Sequence, residues 1–125
     1  MNDVTPLLTV VDRLANRLRA LPQPRLRRGT AAEALALARE LSVRAQRIEE
    51  PGSSPRIMPD AGMFAVADQV AVAGHDLAHA LERAPEGAGG GGGRSSAEGS
   101  GAGKAGDALA DAVALVEATA KRCGL

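Results

Sequence analysis

Aromatic side chains are almost absent from this chain of 125 residues, which has one phenylalanine, no tyrosine and no tryptophan. A stacking platform for single-stranded nucleic acid needs several such rings and is therefore excluded. The core must be aliphatic and thin, drawn from an apolar fraction dominated by alanine. Cysteine occurs once, as Cys123, so neither a disulfide framework nor a cysteine metal cluster is available, and a reducing, cytoplasmic setting is the expectation. Net charge is missing too: 15 basic and 15 acidic residues cancel. No global field draws the molecule onto nucleic acid or an anionic membrane. Long apolar runs are also lacking. The stretch from Leu7 to Val11 is cut by Asp12 and Arg13, too short for a signal peptide or a membrane span, so no membrane partner is expected.

What is present is helical periodicity. Pro6 after Thr5 suits a first helical turn, where its missing N–H is not needed. Leu7, Val11, Leu14, Leu18 and Leu21 then recur in steps of four and three, which places them on one stripe of a helix over residues 5 to 21. Pro22 and Pro24 stop it. Thr30 and Glu33 read as a capping box opening a second helix over 31 to 50. Its stripe is Ala34, Leu37, Leu41, Ala45 and Ile48, widened by Leu35 and Ala38. Asp60 is placed to cap a third helix over 61 to 84. There Met63, Ala67, Val70, Gly74, Leu77 and Leu81 face inward, with Gly74 allowing a close approach to a neighbouring helix. Asp107 is placed to cap a fourth helix over 107 to 123, with Ala108, Ala112, Leu115, Val116, Thr119 and Cys123 inside and Gly124 as its stop.

Most of the glycines lie in a tract over 87 to 106, which is expected to be a disordered connector because ordering glycine costs more entropy than burial there returns. A nucleotide cradle is not expected: Gly103-Lys104-Ala105 lacks the following hydroxyl residue and has no strand before it. No segment alternates with period two. The fold class expected is all-α, a single antiparallel up-down-up-down four-helix bundle with a long flexible glycine-rich loop between the third and fourth helices.

The third helix gathers both histidines and the lone aromatic. At 100° per residue, Asp68, Val72, His75 and His79 lie opposite the apolar stripe, and Phe64 falls on the edge of that outer face. Phe64 is expected to lie under the loop over 51 to 59, covered by Ile57 and Met58. His75 and His79 have the four-residue spacing that presents two nitrogens to one metal, with Asp68 or Glu82 as the nearest third ligand. No di-iron or zinc-protease motif accompanies them, so neither metal nor cofactor is expected. Asp76 is placed to pair with His79 or Arg83.

Charge is distributed unevenly. Residues 1–50 carry nine arginines against six acids, and residues 51–125 carry six basic residues against nine acids. Arg17, Arg19, Arg25, Arg27 and Arg28 follow one another with no intervening acid and form the candidate anion-binding surface. No nucleophile has a base in a catalytic context, and Cys123 sits at a helix end whose dipole disfavours a thiolate.

The leading expectation is a cytoplasmic protein-interaction or regulatory module that self-associates, without enzymatic activity. Its contact surface would hold Phe64, Asp68, Val72, His75 and His79. One alternative is a regulator that responds to nucleic acid or nucleotide through the arginines between 17 and 28. The other is a metal-binding protein or enzyme built on His75 and His79.

Overall fold

A computed structural model describes residues 2–84 and 103–125. Within them the chain is all-helical, with no strand: α1 spans Thr5–Arg19, α2 is a single turn at Gln23–Arg25, α3 spans Ala31–Glu49, α4 Val66–Arg83 and α5 Gly103–Arg122. The four long helices bury most of the stripes expected of them, with Ile48, Ala108 and Leu115 partly buried and Leu21 and Met63 outside the helices. Leu7, Val11, Leu14 and Leu18 meet Leu37, Leu41, Val70, Leu77, Leu81 and Val116 in one core.

The directions of the helices differ from strict alternation. Asn2 donates from Nδ2 to the Leu81 carbonyl at 2.6 Å, Asp12 meets His75 at 2.8 Å, and Arg19 meets Asp68 at 2.8 Å. Numbers rise along α1 as they fall along α4, so these two helices are antiparallel. Arg83 near the end of α4 pairs with Glu49 at the end of α3, while Ala31 and Leu35 at the start of α3 line the same cavity as Met63 and Val66. α3 and α4 therefore run parallel. α5 follows α1, with Pro6 beside Leu109 and Arg17 beside Lys121, and Arg122 reaches back to Glu33 at the start of α3. The order is up, down, down, up, which corrects the expected up-down-up-down bundle.

The physical reason is the connection over 50–65. At roughly 3.3 Å per extended residue it is long enough to return the chain along the whole of α3 before α4 begins. It is pinned on the way. The Gln46 side chain accepts the Arg56 N–H at 2.9 Å and donates to the Arg56 carbonyl at 2.8 Å, Arg39 donates to the Met58 carbonyl at 2.8 Å, and Gln69 donates to that of Pro59 at 2.9 Å. In the sequence this stretch stood only as a loop over 51 to 59 covering Phe64; the structure makes it a crossover.

α1 and α4 approach closely at Gly74. A Cβ built there would stand 2.5 and 2.6 Å from the two γ-carbons of Val11, so the expected role of this glycine holds. The C-terminal stop also holds. Gly124 takes φ 75°, and the Leu125 and Gly124 N–H groups close onto the Ala120 and Lys121 carbonyls at 2.8 and 3.0 Å.

Several helix starts are corrected. Thr30 is buried in helical geometry and makes no capping bond, and Glu33 turns to Arg122 instead. Gly29 at φ 119° turns the chain and the Ala31 N–H closes onto the Leu26 carbonyl, so backbone supplies what a capping box would have supplied. Asp60 accepts the Gly62 N–H at 2.8 Å, a local turn completed by Gly62 at φ 96°, and α4 begins only at Val66. α5 begins at Gly103, so Asp107 lies inside it rather than capping it. The expected connector falls outside the described residues over 85–102, and its last part, 103–106, is helix.

Candidate functional site

The outer face of α4 is built by the same periodicity that builds the core. Val66, Val70, Ala73, Leu77 and Leu81 are buried, and the residues half a turn away point to solvent as a consequence. On that side lie Asp68, Val72, His75 and His79, all exposed. Phe64, also exposed, precedes α4 in the turn over 63–65.

Phe64 is the correction within that set. It is 76% exposed, and Ile57, its expected cover, is itself 62% exposed. The crossover is pinned against Gln46 and Arg39 of α3, and Met58 packs, partly buried, against the core. Val72, two turns further along α4, is 57% exposed. Phe64, Ile57 and Val72 are the exposed large apolar side chains among the described residues, Val72 on α4 and Phe64 in the turn before it.

Charged groups lie along the α1 side of the face. Arg19 donates to Asp68 at 2.8 Å, and the Asp12 carboxylate lies 2.8 Å from Nε2 of His75. Both pairs are about half or more exposed, so each contributes at most about 1 kcal/mol to stability. They fix side-chain direction more than they hold the fold. Arg83 pairs with Glu49 across the bundle rather than with Asp76. The expected histidine pair does not gather further ligands: no group of three or more His, Cys, Asp or Glu side chains forms among the described residues.

The five arginines between 17 and 28 are not presented as one surface. Arg19 faces α4, and Arg25 donates to the Cys123 carbonyl at 2.9 Å, where it caps the C-terminal end of α5. Arg17 lines a groove between α1 and α5. Arg27 lines another beneath the crossover, and Arg28 is exposed. Cys123 is buried, and burial pushes its thiol upward, with Glu33 adding to the effect. A raised pKa in a buried site is the opposite of what a nucleophile needs.

Sequence reasoning missed the groove between α1 and α5, where Arg13 and Lys121 join Arg17. The only signal was the four-residue spacing of Arg13 and Arg17 on one side of the first helix. The partner helix could not be named without the topology. No family model matches the chain, and comparison with curated proteins and with solved structures gives no match.

Proposed function

We propose that this protein is a non-enzymatic interaction or regulatory module of the cytoplasm that self-associates through the outer face of α4. The observation that carries the reading is the exposure of its one aromatic residue, Phe64, at 76% in the turn that leads into α4, with Val72 at 57% on α4 itself. Enclosing a phenylalanine side chain is worth roughly 1.5 to 3 kcal/mol, and the fold leaves that stabilisation unused. A second copy docked on the same face would use it twice, because a two-fold contact presents the same patch on both sides.

The polar neighbours suit such a contact. Asp68 and Asp12 are already engaged by Arg19 and His75, so these two carboxylates would not enter the contact bare, and the pairs would form the rim around the apolar centre. The exposed His79 adds a further polar group to α4 beside them. A buried free cysteine is compatible with a reducing compartment. No helix among the described residues is long and apolar enough to cross a membrane.

Sedimentation equilibrium across micromolar to submillimolar concentrations tests the proposal. Wild type should show a monomer–dimer equilibrium, and Phe64→Asp should remain monomeric with an unchanged helical spectrum. A wild type that stays monomeric over the whole range overturns it.

A further inference from the structure

On the far side of α1 from α4, α1 and α5 run parallel and leave a groove of ≈300 Å3 between them. Its floor is Val10 and Leu14 from α1 with Val116 and Ala120 from α5. Ala120 contributes only a methyl group to that floor. Three cations line it, Arg13 and Arg17 one turn apart on α1 and Lys121 on α5, together with the Glu117 carboxylate and the terminal Leu125. None of the three takes part in the ion pairs formed among the described residues, which use Arg19, Arg44, Arg56, His75, Arg83 and Arg122 instead.

We propose that this groove is a binding site for a short single-chain aliphatic carboxylate. The tail lies along the Val10, Leu14, Val116 and Ala120 floor, and the carboxylate meets the forked guanidinium donors of Arg13 and Arg17. Charge sets the headgroup: the lining is net positive, and an anion relieves the repulsion among the three cations. Volume sets the size. The groove is at the small end of the roughly 300–1,000 Å3 span of small-molecule sites, which suits a short chain and leaves no room for a dinucleotide or a folded peptide. The site is independent of the α4 face, so self-association can fail while this site stands.

Calorimetric titration of the full chain with octanoate, octanol and acetate tests the proposal, with methyl resonances of Val10, Leu14 and Val116 followed in parallel. Octanoate should bind at one site, with octanol and acetate each at least tenfold weaker because one lacks the charge and the other the tail. Arg13→Gln with Arg17→Gln should weaken octanoate about tenfold and leave octanol unchanged. Ala120→Leu fills the groove and should abolish octanoate binding while the melting temperature holds or rises, so loss of binding would not reflect unfolding. Octanoate binding to Ala120→Leu as tightly as to wild type overturns the proposal. So does acetate binding as tightly as octanoate, or octanoate perturbing methyl groups across the core rather than along the groove.

Discussion

Replacing Gly74 with alanine places a methyl group 2.5 and 2.6 Å from the two γ-carbons of Val11 and 3.1 Å from its Cβ. Two effects of opposite sign compete. Alanine is the better helix former, which by itself would stabilise α4 by roughly 0.8–1.0 kcal/mol. The clash opposes it, at typically about 1–3 kcal/mol for an inserted methylene in a packed core. The upper part of that range applies here, because Val11 is fully buried and a β-branched residue in a helix has one strongly preferred rotamer. Both γ-carbons lie inside contact distance, so turning the side chain exchanges one clash for another, and α1 and α4 must separate instead. The net expected loss is roughly 1–2 kcal/mol, a fall in melting temperature of about 4–8 °C. The assay is urea denaturation followed by circular dichroism, run as a double-mutant cycle with Val11→Ala. That single change removes two methyl groups at about 2 kcal/mol, and the double variant should be more stable than the sum by about 1 kcal/mol or more, since the alanine methyl enters the space vacated. A Gly74→Ala protein more stable than wild type would show that the helices do not meet at this glycine.

Other expectations follow from particular contacts. Arg25→Ala should cost about 1 kcal/mol through loss of the charged cap on the Cys123 carbonyl, with hydrogen exchange accelerated mainly in the last turn of α5. Gln46→Ala should leave the helices intact while protease cleavage near Arg56 becomes much faster, because both bonds pinning the crossover there come from one side chain. Cys123 should react with a disulfide reagent at pH 8 far more slowly in the folded protein than in urea, because burial raises its thiol pKa. The same shift has a defined sign for stability. The folded state holds this proton more tightly, so its contribution is complete below the pKa of the unfolded thiol and is lost as pH rises through that of the folded one. Equal reaction rates in the two states would refute the burial of Cys123.

Helices and their buried faces were legible because each stripe repeats over several turns and the stops carry their own chemistry. α1 ends at Arg19, shortly before Pro22, while Pro24 sits in the single turn of α2, and Gly124 adopts the positive φ its position implied. Gly74 was legible for a related reason: a glycine in an otherwise apolar stripe has little local purpose, so a neighbouring helix was the natural explanation. Starts were less legible. Thr30, Asp60 and Asp107 each resemble caps by type, yet backbone bonds at Gly29 and a tight turn at Gly62 do the work at two of these places, and α5 simply begins earlier. Helix direction was not legible at all, since periodicity is blind to it. What decides direction is the crossover over 50–65, and its anchors, Gln46 and Arg39, look like ordinary polar residues on a solvated face until the chain is seen to double back. Phe64 failed for the same reason. Its cover was inferred from nearness in sequence, while the crossover is held against α3.

Because the chain contains a single phenylalanine, incorporation of a fluorinated analogue gives one fluorine signal, reporting on Phe64 alone. If Phe64 belongs to a contact between molecules, that signal should be solvent-accessible in dilute solution. It should shift and broaden with rising protein concentration, and Val72→Asp should suppress the change. A signal that stays at one position from micromolar to submillimolar protein, with unchanged solvent accessibility, would contradict the assignment of this face to self-association.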